Sequence, residues 1–190
     1  MRKSEAARVK KMALASAFSA LGIAIAPFLW FPFLTTRAFP GQHMINALAG
    51  VLLGPLWAAA VALFIGVIRN VLGMGTVYAF PGGIPGGIVV GLSYGLLRRL
   101  GRKEKTALAA ALFEPIGTVL IGATLTLYLF APWIGDMKLL SELQQSQLIA
   151  LLTLWFGWAV SSVSGSVIGF VVLLALNKIE ISRETLFGET

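Results

Sequence analysis

"GQHMINALAGVLLGPLWAAAVALFIGVIRN", residues 41–70, decides how this chain is read. Polar groups stand at both of its ends: Gln42, His43 and Asn46 at the start, Arg69 and Asn70 at the finish. Between them the residues are apolar, apart from a break at Gly54-Pro55. The stretch is either one kinked helix or two short ones folded back on each other. The charges decide, because Lys and Arg in short loops favour the cytoplasmic side of a membrane. A single span would put the basic N-terminal cluster and "RRLGRKEK" (98–105) on opposite faces. A hairpin at Gly54-Pro55 puts both clusters inside, together with Lys178. The hairpin is the consistent reading.

The membrane itself follows from composition. Of 190 residues, 57% are hydrophobic and 12% charged, with a mean hydropathy of +0.86. A soluble domain carries about 25% charged residues. Apolar stretches recur from Met12 to Asn177 without the strict alternation of a barrel strand. The expected fold is an all-α integral membrane protein of six transmembrane helices, near 12–31, 40–53, 56–72, 84–98, 106–130 and 147–177. Residues 1–178 form one membrane domain, 179–190 a short cytoplasmic tail, and both termini lie inside. The first helix reads as retained rather than as a cleaved signal, since its apolar run continues past a short core. The second helix is short, about 21 Å from Pro40 to Leu53. Its end groups need cover from protein or water, which is how membrane proteins build an outward cavity. His43 stands at that mouth.

The net charge of +7 is explained by topology-setting clusters rather than by nucleic acid. With no Cys and one His, neither thiol chemistry nor a metal site is expected. No phosphate loop, His-Glu-x-x-His or Gly-x-Ser-x-Gly motif occurs, so the sequence points away from ATP hydrolysis and from enzymes.

Small residues run in helical stripes: Ala13, Ala17, Ala20 and Ala24 on the first helix, Gly83, Gly87, Gly91 and Gly95 on the fourth, and Gly157, Ser161, Gly165 and Gly169 on the sixth. Such stripes let helix backbones approach in lipid. Each serves internal packing or docking to another membrane protein. The first helix suits docking best, because its stripe begins beside a basic cluster.

Polar residues inside spans are costly, about 2.5–3.5 kcal/mol for a charge at bilayer depth. Arg69 and Asn70 lie near the outer end of the third helix, and Glu114 is the only acid within a span. Arg69 stands about 20 Å above the cytoplasmic helix ends and Glu114 about 12 Å. Direct pairing and bridging through a ligand both stay open. His43 and Asn46, i and i+3, share a helix face. Tyr78, Phe80, Trp155 and Trp158 supply aromatic surface, either as an interfacial belt or as walls for a small flat heterocycle.

Three stretches carry a resemblance: "KKMALASAFSALGIAIAPFLWFPF", the run from "FPGQHMINALAGVLLGP" through "RNVLGMGTVYAFPGGIPGG", and "EPIGTVLIGATL". Together they resemble the ThiW group of substrate-binding S components of energy-coupling factor (ECF) transporters. The resemblance implies a six-helix fold in a prokaryotic cell membrane, capturing a vitamin precursor at the outer face. The expected cargo is hydroxyethylthiazole, the thiazole precursor of thiamin. Import would need a membrane-embedded coupling subunit and two ATPase subunits that use ATP; no cofactor belongs to this chain. Ala13 and Ala17 match the family's Ala-x-x-x-Ala docking pattern. In this reading Tyr78, Phe80 and Trp155 sandwich the ring, while His43, Asn46, Arg69 or Asn70 bind its nitrogen and hydroxyl. Glu114 orients Arg69 or meets a cationic ligand. Rival readings are an S component for thiamin or another vitamin, a proton-coupled secondary transporter using Glu114, and a scaffold without ligand.

Overall fold

Proline and glycine set the boundaries of the first half of the chain. The computed structural model describes residues 3–33 and 36–188. Helix α1 (Lys3–Ile25) stops six residues short of the expected 31, because Pro27 disfavours helical backbone in the residue before it. The chain then makes two three-residue strands, β1 (Phe31–Phe33) and β2 (Thr36–Ala38), paired antiparallel with Phe31 opposite Ala38. This ribbon is the one extended pairing among the described residues; the regular structure is otherwise helical, as an all-α fold requires. Helix α2 (Pro40–Leu53) and helix α3 (Pro55–Val71) each begin with proline, whose missing N–H costs nothing in a first turn. One residue links them. Gly54 has φ 93°, a conformation that disfavours any side chain, and its N–H reaches the Ala49 and Gly50 carbonyls, both at 3.2 Å. The start of α2 meets the end of α3, Gln42 against Arg69, so the pair is an antiparallel hairpin.

Helix α4 (Ala79–Arg99) starts before the expected 84, since Pro81 falls in the first turn, where its missing N–H is tolerated. Helix α5 runs from Glu104 to Ile134 and is not uniform. Its tight 3₁₀ turns over Leu108–Phe113 give way to wide π turns over Ile116–Ala123 and Thr126–Phe130. The switch falls at Pro115, which has no N–H to donate. Pro85 sits inside α4 and lacks the N–H that would meet the Pro81 carbonyl. Gly117 and Gly122 of α5 lie against the Pro85 and Pro81 carbonyls, where no Cβ fits. Two proline-bearing helices therefore cover one another's backbone. Helix α6 (Met137–Gln145) is amphipathic and buries no residue; its N-cap Asp136 accepts from the N–H groups of Lys138 and Leu139. Helix α7 (Gln147–Lys178) is capped by Ser146, and helix α8 (Arg183–Phe187) by Ser182.

Helix α2 is the central post. Apart from Met44 all its residues are buried, packed among α1, α3, α4, α5 and α7. A helix apolar on all sides belongs in the middle of a bundle. The outer surface is apolar as well, with Phe64, Ile121, Leu129, Phe156 and Val171 exposed, as a lipid solvent requires. Three described helices, α4, α5 and α7, are long and apolar enough to cross a membrane; α3 is a shorter apolar helix.

One end of the bundle gathers the basic residues. Lys10 donates to the Leu186 carbonyl at 3.3 Å, Lys11 lies over the Phe187 ring, and Arg98 reaches Glu184 at 3.5 Å. A Cβ at Gly54 would stand 3.2 Å from Arg183. The expected tail at 179–190 thus includes a helix folded back under the hairpin turn, with Leu186 and Phe187 against the core.

Candidate functional site

The opposite end of the bundle is where the polar residues of the α2–α3 hairpin come together. A cavity of about 390 Å³ lies there, between the start of α2, the end of α3, the 73–76 loop, the start of α4 and one turn of α7. That size suits a small ligand. Its aromatic walls are Phe39, Tyr78 and Trp158; its polar lining comes from Gln42, His43, Arg69 and Ser161. Glycine makes the room: a Cβ at Gly82 would come within 3.1 Å of the Trp158 ring, while Gly157 faces open space.

Arg69 is only 4% exposed. Its guanidinium donates to Gln42 Oε1 at 2.5 Å and to the Met74 carbonyl at 3.3 Å, and lies 4.1 Å above the centre of the Phe39 ring. That stacking is favourable for a cation. No carboxylate among the described residues comes within ion-pair distance of it, and its Nε has no partner. Asn70 does not join the lining. Its amide donates to the Gly66 carbonyl at 2.8 Å and the Thr76 carbonyl at 3.0 Å, so it holds the 73–76 loop over the cavity.

Beneath the cavity lies a second polar layer around Glu114, which is wholly buried. Its Oε1 accepts from His43 Nδ1 and Asn46 Nδ2, both at 2.9 Å, and from the Thr118 hydroxyl at 2.6 Å; Oε2 accepts from Ser162. The Thr118 hydroxyl also lies 2.7 Å from the Gly82 carbonyl of α4. Buried charges persist when hydrogen bonds replace water in this way. Gly86 permits the closeness, since any Cβ there would strike Glu114 and Thr118. With Glu114 as carboxylate, the proton of a neutral His43 sits on Nδ1, leaving Nε2 free to accept.

Against expectation, Glu114 neither pairs with Arg69 nor lines the cavity. Asn46 belongs to the Glu114 cluster rather than to the cavity wall. Phe80 packs over Gly66, and Trp155 donates to Thr124 at 3.1 Å, so neither ring lines the cavity. Of the expected site residues, His43, Arg69, Tyr78 and Trp158 do line it. Sequence reading overlooked Phe39, Gln42 and Ser161. Gln42 stands beside His43 in the first turn of α2, and Ser161 belongs to the small-residue stripe that begins at Gly157.

At the cavity mouth the Tyr78 hydroxyl donates to Asp136 at 2.5 Å. This bond, with the α6 N–H groups, holds the Asp136 carboxyl below its ordinary range. Burial first, then the Asp136 bond, pushes the Tyr78 hydroxyl above its usual value. The donor and acceptor roles are thereby fixed at neutral pH.

The stripes divide between inside and outside. Gly87 and Gly91 abut Ala58 and Pro55, Gly165 and Gly169 abut α2, and Gly95 touches nothing. Ala13, Ala17, Ala20 and Ala24 are all exposed. No cluster of three His, Asp or Glu side chains occurs among the described residues.

An apolar-surfaced helix bundle with a polar and aromatic pocket at one end is the architecture of a membrane protein with room for a small molecule. The chain belongs to the thiamine-precursor transporter protein (ThiW) family, whose model matches residues 12–179. It is therefore a transporter of thiamin precursors and not an enzyme. Neither a curated protein nor a solved structure matches the chain.

Proposed function

We propose that this chain is the substrate-capture component of an ECF-type importer in a prokaryotic cell membrane, with hydroxyethylthiazole as cargo. The observation that carries the reading is the cavity of about 390 Å³, walled by Phe39, Tyr78 and Trp158, at the end away from the basic residues. Because basic loops stay inside, that placement supports six crossings, both termini in the cytoplasm and a cavity open to the outside. His43 Nε2 accepts the cargo hydroxyl, and the ring lies between the aromatic walls. The exposed Ala13–Ala17–Ala20–Ala24 stripe docks on a coupling subunit, and two ATPase subunits supply the energy from ATP.

Calorimetric titration of the purified protein tests the cargo. Hydroxyethylthiazole binds and the pyrimidine precursor of thiamin does not; His43→Ala weakens the thiazole about tenfold, the worth of one buried hydrogen bond. Unchanged affinity in His43→Ala removes the imidazole from the site. A stand-alone proton-coupled transporter is the second reading, favoured by the buried Glu114–His43 pair at 2.9 Å. Uptake into vesicles lacking ATP and partner subunits would establish it instead.

A further inference from the structure

The charges around the cavity are unequal, and that inequality bears on the cargo. Among the described residues, only one full charge lines the cavity itself, the Arg69 guanidinium. It is almost out of water, 4% exposed, yet its polar partners are neutral: the Gln42 amide oxygen and the Met74 carbonyl. The two acids nearby are engaged elsewhere. Glu114 lies below the lining with its oxygens taken by His43, Asn46, Thr118 and Ser162. Asp136 stands at the mouth, bonded to Tyr78 and to the start of α6.

A buried cation without a counter-ion is unfavourable, and the interaction it lacks is available to any anion that enters. The stacking of its guanidinium on Phe39 and the bond to Gln42 keep it oriented in the absence of such an anion. A cationic ligand meets the opposite situation: a like charge at close range and, among the described residues, no carboxylate in the lining. Accepting the reading of this cavity as the site of a thiazole cargo, we propose that it takes acidic derivatives of hydroxyethylthiazole, its phosphate or the corresponding carboxylate, in preference to the neutral alcohol, with the anionic group seated against Arg69. The same arrangement turns away thiazolium cations such as thiamin.

The test is titration of the full-length purified protein with hydroxyethylthiazole, its phosphate monoester, a carboxylate of the same thiazole ring, and thiamin. Wild type, Arg69→Gln and Arg69→Lys are compared. One or both anionic thiazoles bind at least about tenfold tighter than the neutral one, since hydrogen bonds to a charged group outweigh neutral ones. Thiamin binds weakest. The preference disappears in Arg69→Gln and survives in part in Arg69→Lys, which keeps the charge and controls for misfolding. Whichever of the two anions binds tighter identifies the group. Equal affinity for neutral and anionic thiazoles, a preference untouched in Arg69→Gln, or tight binding of thiamin overturns the proposal. Benzoate and phenyl phosphate separate it from the thiazole reading. If these bind wild type and not Arg69→Gln while no thiazole binds, the thiazole falls and the anion site stands. If nothing anionic binds, the anion site falls.

Discussion

Glu114 and Arg69 are two buried charges with opposite treatment. Glu114 is met by an imidazole, an amide and two hydroxyls from α2, α5 and α7. Arg69 is met by a neutral amide, a carbonyl and a ring face. The first is fully occupied by the protein and ties three helices together. The second is oriented but not neutralised. Position in a span makes either one a functional candidate; what distinguishes them in the structure is how far the protein itself satisfies the charge.

The contrast breaks most visibly at Glu114. Glu114→Ala strands its donors without water or partner and is expected to cost about 3–5 kcal/mol, read as a fall in Tm or in folded yield from detergent. A stable Glu114→Ala protein that had lost only cargo binding would move Glu114 into the binding site and end the distinction. Gly86→Ala probes the same cluster from the facing helix. Its Cβ would strike Glu114 and Thr118, so a loss of about 1–3 kcal/mol is expected, again by thermal unfolding. Arg69→Gln sharpens the other side. It exchanges an uncompensated charge for lost neutral bonds, so stability shifts by no more than about 1 kcal/mol, even as anionic cargo is lost.

The smallest effect concerns the cavity mouth. Asp136 titrates below its ordinary value of 3.8, chiefly because Tyr78 donates to it. A carboxyl depressed on folding stabilises the fold above its unfolded pKa, and that contribution is lost as pH falls through the folded value. Asp136 is partly exposed, so solvent screening holds the effect under about 1 kcal/mol. Tyr78→Phe should flatten that acid-side loss in a Tm-against-pH series. Tyr78 itself, raised above 10.0, remains a donor until strongly alkaline pH.

Much of the scaffold was legible because its signals are local. Gly54-Pro55 announces a turn through the positive φ that glycine allows and the N–H that proline lacks. The short α2 follows from Pro40 and Gly54 alone. The far end of α1 was misread because the apolar run continues past Pro27, where the backbone does not. The site was less legible. His43, Arg69, Tyr78 and Trp158, polar or aromatic residues near helix ends, line the cavity. Phe80 and Trp155 passed the same criterion and face elsewhere, since sequence position near a helix end does not say which way a ring points.

By itself the sequence determined a membrane-embedded helical chain with a hairpin at Gly54 and basic loops to one side, because hydropathy, proline and charge act locally. Only the tertiary structure decided which buried charge is spent inside the fold. Glu114 follows a 3₁₀ stretch and precedes a π stretch, so the residues it faces depart from regular α-helical spacing. Its donors also come from segments as far apart in the chain as His43 and Ser162. Hydrogen bonds between distant segments exist only once the helices have packed, and they leave Arg69 without an anion among the described residues.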